Sequence, residues 1–173
     1  IGRRQQKRRA PAPYTTSKLQ QDASNRLGMP PKRAMSIAQS LYEGVALGRG
    51  TAAEAVGLIT YMRTDSVRVS ADAIDACRAY IGATFGDGAV PEKANIFKSG
   101  SQNVQDAHEA VRPTSMELTP DSVRPYLKDE QMRLYRLIWD RFVASQMNPA
   151  VYDLTSVDIE GTAGATTYGL RAG

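Results

Sequence analysis

The hydrophobic periodicity of this chain changes once, just after Met147, and that change limits the folds available to it. Before Met147 the apolar residues recur at helical spacing, which is typical of amphipathic helices packed around a core. The clearest helical stripe consists of Tyr135, Ile138, Trp139 and Phe142. After Met147 the side chains alternate with period two in two segments separated by a Gly-rich turn, which predicts a β hairpin over residues 155–170. The sequence therefore predicts a mainly α fold with a small β hairpin at the end.

Two of the predicted helices are joined by a tight turn. Ser17 and Gln20 form a capping-box pattern and Gly28 provides a stop, which predicts a helix over residues 17–27. A second amphipathic run begins near Pro31 and ends at Gly44. Its core-facing residues are expected to be Ala34, Ile37, Ala38 and Leu41. Such a pair is typical of helix-turn-helix DNA-binding units and equally of ordinary helical hairpins, and the pattern does not separate the two.

Further helix starts are indicated by Ser70, by Thr119 with Pro120, and by Asp129. Two stretches lack helical periodicity. Residues 44–57 are rich in Gly and Ala and are expected to form a loop or a short irregular helix. Residues 85–104 contain three glycines and a proline and are expected to form a long loop, of a length that is usually functional or mobile.

Size and composition restrict the class of protein. A chain of 173 residues with 42% hydrophobic composition can bury one core. Cys77 is the only cysteine, which excludes an internal disulfide and a zinc site built from several cysteines, and it is expected to be a small buried apolar residue. No run approaches the roughly 18 apolar residues of a membrane span, and the Arg-rich start lacks the apolar part of a secretory signal. We therefore expect no membrane partner and a cytoplasmic location.

Positive charge is concentrated in the first part of the chain. Residues 1–49 contain ten Lys and Arg against two Asp and Glu, whereas residues 50–173 contain twelve against sixteen. The basic part is therefore expected to face phosphate groups. Its densest run, residues 3–9, suits either DNA contact or a disordered solubilising tail.

The segment from Gly57 to Ser66, with the sequence GLITYMRTDS, places a phenol two residues from a guanidinium. In extended backbone, side chains two residues apart lie on the same face, so Tyr61 and Arg63 would meet the same group. A phenol ordinarily has a pKa of about 10 and is a weak nucleophile at neutral pH, so it needs groups that remove its proton and bind phosphate. Arg63 suits the second task because its planar fork donates two hydrogen bonds to phosphate oxygens. The pattern indicates attack on a phosphodiester; a half-buried strand is the alternative.

The same string resembles the active-site tyrosine motif of the type IA DNA topoisomerases. Two more strings resemble that family and occur in the family order: PYTTSKLQQDAS at residues 13–24 and QDAHEAVRPT at residues 105–114. The resemblance implies that Tyr61 is the catalytic nucleophile, forming a 5′-phosphotyrosine with DNA, and that Arg63 assists it. It also implies that His108 handles a phosphate or a proton near the cleaved bond and that Arg112 contacts the DNA backbone.

Three other residues of the tyrosine motif are expected to support the site. Thr60, Asp65 and Ser66 belong to the motif, and their spacing suits hydrogen bonding and turn capping.

The resemblance implies a domain arrangement. In this family a mainly helical domain, likened to the DNA-binding fold of the catabolite activator protein, carries the tyrosine and is inserted by two linkers into a β-rich arch. We therefore expect a helical tyrosine domain over residues 10–147, with residues 1–9 and 148–173 as two incomplete pieces of the arch.

The resemblance also implies an activity for a longer parent protein. That parent would be a monomer that binds single-stranded and negatively supercoiled DNA, and would relax it by transient single-strand cleavage, strand passage and religation. Mg²⁺ would be bound by a separate Toprim domain, without which this chain is expected to be inactive.

No metal site is expected within this chain, because it contains no Asp-x-Asp cluster. Asp158 and Glu160 share one face of a predicted strand and could loosely hold a cation. Such a pair is more often solvated surface.

Two other function classes share some of these features. A non-catalytic helix-turn-helix module would need only the basic first part and the paired helices, but it would leave the tyrosine motif unexplained. A type IB or recombinase site would share the tyrosine nucleophile, but the position of Tyr61 ahead of the His108 motif argues against it. That class also joins the 3′ phosphate rather than the 5′ phosphate.

Overall fold

The computed structural model describes residues 1–48, 55–98 and 108–173, and the chain divides into two compact units. The larger unit contains residues 11–147, and the smaller contains residues 1–10 and 148–173. The described helices are α1 (Thr16–Leu27), α2 (Pro31–Glu43), α3 (Ala71–Phe85), α4 (Pro120–Val123) and α5 (Asp129–Ser145), with 3₁₀ turns at Asp87–Ala89 and Arg124–Tyr126. The described strands are β1 (Gly2–Arg8), β2 (Val45–Ala46), β3 (Ala55–Val56), β4 (Ala150–Ala163) and β5 (Thr166–Ala172).

Helices α1 and α2 follow the predicted pattern except at their start. The side chain of Thr15, not Ser17, caps α1 by accepting the N–H of Lys18, so the predicted capping box is wrong. Gly28 ends α1 in the left-handed conformation, with φ of 65°. Helix α2 begins at Pro31 as predicted. The four residues predicted to face the core from α2 are all buried: Ala34, Ile37, Ala38 and Leu41.

Helices α3 and α5 complete the core of the larger unit. Ser70 caps α3 by accepting the N–H of Ala73, as predicted, and Cys77 on this helix is fully buried. Burial raises the pKa of the Cys77 thiol to about 12, as expected for a small apolar-like residue in a core. Asp129 is the first residue of α5 rather than its cap. The predicted stripe on α5 is buried throughout: Tyr135, Ile138, Trp139 and Phe142.

The prediction of a mainly α fold is wrong, because the chain is mixed α/β. Helix accounts for 42% of the described residues and strand for 23%. The longest strand that was not predicted is β1, which coincides with the basic run that was expected either to contact DNA or to form a disordered tail. Its sequence GRRQQKR has no apolar alternation, and all seven residues are exposed. β1 is extended because it pairs with β4, and no local pattern indicates a partner about 150 residues away.

The smaller unit is a three-stranded antiparallel sheet in the order β1-β4-β5. Gly2 pairs with Ser156 and Arg8 with Ala150 along the first ladder. In the second ladder Val157 pairs with Ala172 and Ala163 with Thr166, and Gly164 turns the chain with φ of 62°. The predicted β hairpin is therefore confirmed, and β4 is longer than predicted because it also pairs with β1.

The two non-helical stretches are more ordered than expected in the parts that the structure describes. Within residues 44–57, β2 and β3 form a short antiparallel ribbon, not a helix, and residues 49–54 lie outside the described ranges. Within residues 85–104, residues 99–104 lie outside them. Asn95 donates to the carbonyls of Ser145 and Met147, and Arg78 donates to that of Pro91, so the described part is bound to the helical core.

Candidate active site

The segment that leads to Tyr61 is held between the end of α2 and the strand-like segment at residues 111–114. The N–H of Leu58 donates to the carbonyl of Leu41 at 2.8 Å, and Ile59 forms an antiparallel bridge with Pro113. Leu58 and Ile59 are both buried, at 0% and 1% exposure. A β-carbon on Gly57 would lie 2.7 Å from the carbonyl oxygen of Tyr42, so only glycine permits this close approach to α2.

Thr60 joins the tyrosine segment to the segment that follows His108. Its N–H donates to the carbonyl of Arg112 at 2.9 Å, and its hydroxyl donates to the carbonyl of Ala110 at 2.7 Å. The same hydroxyl accepts the N–H of Arg112 at 3.0 Å. The backbone immediately before Tyr61 is therefore fixed by one side chain that both donates and accepts.

Tyr61 to Ser66 alternate between exposed and buried positions. Tyr61, Arg63 and Asp65 are exposed, while Met62, Thr64 and Ser66 are buried. The segment bends at residues 62 and 63, so it is not a regular strand, although the alternation of a strand is retained. Tyr61 has 37% of its surface exposed, which leaves its phenol accessible to a ligand.

Two aromatic rings lie beside Tyr61. The ring of Tyr42 on α2 meets it edge to face, with centroids 5.4 Å apart and an interplanar angle of 65°. The ring of His108 lies 5.7 Å from it, tilted by 37°. The structure thus brings the predicted nucleophile and the predicted histidine together, although 47 residues separate them in the chain.

The buried residues of the motif anchor it to the start of α1. The hydroxyl of Thr16 donates to the carbonyl of Met62 at 2.8 Å and accepts the N–H of Thr64 at 2.8 Å. The Thr64 hydroxyl accepts the N–H of Ser66, whose own hydroxyl accepts the N–H of Arg68. These turn hydrogen bonds leave the side chains of Arg63 and Asp65 pointing outward. Arg63 takes part in none of the ion pairs formed within the described ranges.

Arg112 is placed differently from Arg63. Its guanidinium forms an ion pair with Glu109 and donates to the carbonyl of Pro113, and its side chain is only 12% exposed. Glu109 also accepts the N–H of Ser70 at the start of α3. This arrangement makes Arg112 and Glu109 a clamp on the segment next to His108. Residues 105–107 of the same motif lie outside the described ranges.

The first family-like string, residues 13–24, contributes Tyr14 and Asp22 to a buried polar cluster. The hydroxyl of Tyr14 donates to Asp22 at 2.9 Å, and the guanidinium of Arg141 lies 4.8 Å from the centre of the Tyr14 ring. Burial opposes ionisation of Asp22, but hydrogen bonds from Tyr14 and Lys18, with the charges of Lys18 and Arg141, hold the pKa of its carboxyl below the ordinary value. The N–H of Val111 donates to the carbonyl of Tyr14, so this cluster supports the segment that bears His108.

The described ranges contain no group of three or more His, Cys, Asp and Glu side chains arranged to hold a metal ion. The carboxylate of Asp158 accepts a hydrogen bond from Arg171 on the neighbouring strand, and Glu160 pairs with Gly169.

Two residues of this site were not predicted from the sequence. Tyr42 and Glu109 were not assigned roles, although both lie beside residues that were. An exposed aromatic on the polar side of α2, one residue after the core-facing Leu41, is the only signal that the sequence offers for Tyr42. Glu109 belongs to the His108 motif, as does its ion-pair partner Arg112, but its second partner, Ser70, is on another segment.

An exposed tyrosine held beside a histidine, with an outward arginine two residues later, is a site suited to phosphodiester chemistry. A family model described as DNA topoisomerase matches residues 1–170. The chain belongs to the bacterial type IA DNA topoisomerases. The matching family is therefore not one of non-catalytic helix-turn-helix modules, which was the alternative.

Individual relatives extend this result. The chain is 52% identical over 159 residues to DNA topoisomerase 1 of Xylella fastidiosa, covering 92% of this chain and 19% of that protein. It is 46% identical over 157 residues to DNA topoisomerase 1 of Helicobacter pylori, covering 91% and 21%. The solved structure of full-length topoisomerase I from Thermotoga maritima matches with a TM-score of 0.77 and 37% identity, over 98% of this chain and 26% of that one. The chain thus spans about a fifth of the curated relatives. None of its described helices is long and apolar enough to cross a membrane.

Proposed function

We propose that this chain is the tyrosine-bearing part of a longer cytoplasmic, monomeric enzyme that relaxes negatively supercoiled DNA through transient single-strand breaks. The observation that carries the proposal is the placement of Tyr61. Its ring is accessible and lies 5.7 Å from that of His108, while the residues on either side of it are fixed. A nucleophile held in this way needs little reorganisation before it attacks.

The proposed reaction is a transesterification. The Tyr61 hydroxyl oxygen attacks a DNA phosphorus, a new bond forms to the 5′ phosphate, and the bond from that phosphorus to the 3′ oxygen breaks. The phenol proton leaves, and the 3′ oxygen takes a proton as it departs. Religation is the reverse, in which the 3′ hydroxyl attacks the phosphotyrosine, so no oxidant or external energy source is required.

Arg63 would bind non-bridging oxygens of the same phosphate. Its guanidinium is exposed and outside the ion pairs of the described ranges, so binding a phosphate would not require breaking an existing ion pair. Loss of a comparable charge-stabilising donor typically raises a barrier by about 2.7–4 kcal/mol. His108, beside the phenol, would receive its proton or bind the phosphate. Thr60, Asp65 and Ser66 would support this arrangement, and the predicted contact of Arg112 with the DNA backbone stays a prediction.

Mg²⁺ would be held by a Toprim domain elsewhere in the parent, where it would stabilise phosphate charge. The described residues of this chain form no group of three or more His, Cys, Asp and Glu side chains that could hold a metal ion. Residues 10–147 would form the tyrosine domain. Residues 1–9 and 148–173, which contain the paired strands β1 and β4, would belong to the arch.

Covalent trapping tests this proposal. The full-length parent is mixed with a single strand labelled at one end, the reaction is stopped with denaturant, and the attached peptide is mapped. We expect attachment through the 5′ phosphate to Tyr61, and no attachment in Tyr61→Phe. Tyr126→Phe is a matched control, because Tyr126 is 41% exposed and lies outside the motif. Attachment to another tyrosine, or through a 3′ phosphate, would refute the proposal.

The isolated chain provides a second test. We expect it to bind single-stranded DNA weakly, with an affinity that falls steeply as salt concentration rises, and to relax no plasmid. Plasmid relaxation by the purified chain at catalytic concentration would show that the further domain is not required.

A further inference from the structure

We infer that Tyr42 is a positioning residue that holds the ring of Tyr61 in its reactive orientation. This inference rests on the proposed role of Tyr61 as nucleophile. It assigns to α2 a function beyond core packing, because Tyr42 lies on the exposed side of that helix, at 40% exposure.

The backbone around Tyr61 leaves only its side-chain torsions free. Thr60 is bound to residues 110 and 112 by hydrogen bonds from its N–H and hydroxyl. On the other side, Met62 is fully buried and its carbonyl accepts the hydroxyl of Thr16. The position of the phenol oxygen therefore depends on rotation about two side-chain bonds, and neighbouring rings are what limit that rotation.

The backbone position of Tyr42 is fixed by the end of α2. It lies in the last turn of α2, and the residue before it, Leu41, accepts the N–H of Leu58, which joins this turn to the tyrosine segment. The absence of a side chain on Gly57 lets its backbone approach the Tyr42 carbonyl. Because Gly57 lies so close to Tyr42, the rings of Tyr42 and Tyr61 are brought into contact. Their centroids are 5.4 Å apart in the edge-to-face arrangement that aromatic pairs prefer.

Tyr42 contacts Tyr61 through its ring and not through its hydroxyl. No hydrogen bond from that hydroxyl occurs within the described ranges. Tyr42→Phe should therefore act like the original residue. Tyr42→Leu removes the aromatic contact while keeping a good helix former at a partly exposed position, so it should not unfold α2.

The first experiment measures single-turnover cleavage of a single strand by the full-length parent. We expect Tyr42→Leu to slow the cleavage step by roughly 2- to 10-fold with unchanged DNA affinity, and Tyr42→Phe to match the unsubstituted enzyme. Tyr126→Leu is the matched control for loss of an exposed ring, at 41% exposure, and should have no effect. Full cleavage rate in Tyr42→Leu, equal slowing in Tyr42→Phe, or a parallel loss of affinity would each overturn the inference.

The second experiment does not depend on catalysis. In the 173-residue chain, NMR couplings of Tyr61 should report one χ1 rotamer, with cross-relaxation between the two rings, and Tyr42→Leu should average those couplings. Unchanged couplings would overturn the inference. If instead Tyr61→Phe kept covalent capture, the proposed function would fail while the ring contact could still be measured.

Discussion

Thr60 and Arg112 exchange two hydrogen bonds: the N–H of Thr60 donates to the Arg112 carbonyl at 2.9 Å, and the N–H of Arg112 donates to the Thr60 hydroxyl at 3.0 Å. This exchange joins the residue before Tyr61 to the segment that carries His108. It explains how two motifs from distant parts of the chain occupy one site.

The first prediction concerns the Thr60 hydroxyl. Thr60→Val keeps the branched shape but leaves the N–H of Arg112 and the carbonyl of Ala110 without this partner. We expect a loss of about 1–3 kcal/mol in the free energy of unfolding, measured by urea denaturation of the chain. Thr60→Ser retains the hydroxyl and should lose much less. Equal losses in the two variants would mean that the hydrogen bonds contribute little.

The second prediction separates a clamp from a DNA contact at Arg112. Arg112→Met leaves Glu109 without its ion-pair partner in a site where the Arg112 side chain is 12% exposed, so we expect a loss of about 1–3 kcal/mol in stability. If Arg112 also contacts the DNA backbone, as predicted, the salt slope of DNA binding should fall by about 1 as well, whereas an unchanged slope would show that it acts only as a clamp. A salt slope reduced by about 1, with an unchanged unfolding midpoint, would instead identify Arg112 as a phosphate contact.

The third prediction concerns the geometry of Arg63. Arg63→Lys keeps the positive charge but loses the planar fork, so in the full-length parent cleavage should slow by more than DNA binding weakens. Arg124→Lys changes an exposed arginine that pairs with Asp129 and serves as a control that should leave both quantities unchanged. Equal losses of cleavage and binding in Arg63→Lys would indicate that Arg63 only attracts DNA by its charge.

The fourth prediction follows from Asp22. Its pKa in the folded chain lies below the ordinary value of 3.8, so its ionised form stabilises the fold at any pH above that value. The contribution is lost as pH falls below the ordinary value and through the folded one. Asp22→Asn should therefore be less stable at neutral pH and lose less stability between pH of about 5 and 3, measured by urea denaturation. Asp75→Asn, at an exposed position on α3, should retain the original pH dependence; an identical curve for Asp22→Asn would refute the prediction.

Features that depend only on residues close together in the chain were predicted correctly from the sequence. The buried face of α2, the Ser70 cap and the Gly28 stop all depend on residues within a few positions of one another. The alternation of exposed and buried residues from Tyr61 to Ser66 is equally local, and it follows the spacing that placed Tyr61 and Arg63 together.

Where partners are distant, local patterns failed. The basic run became β1 only because β4 pairs with it, and Ser17 is not the cap because Thr15 takes that place while Thr16 binds the tyrosine segment. The prediction of the fold class was wrong because the pairing of β1 with β4 was not predicted.

The sequence by itself determined the family, the helices with clear apolar faces, and the motif that carries Tyr61. Only the tertiary structure decided that Tyr42 and His108 flank that tyrosine and that Thr60 is hydrogen-bonded to Arg112. Capping and amphipathic spacing act over one or two turns of chain, whereas these contacts require several elements to pack first. Backbone hydrogen bonds between residues 58–60 and residues 41, 112 and 114 bring them together, and no local pattern encodes that pairing.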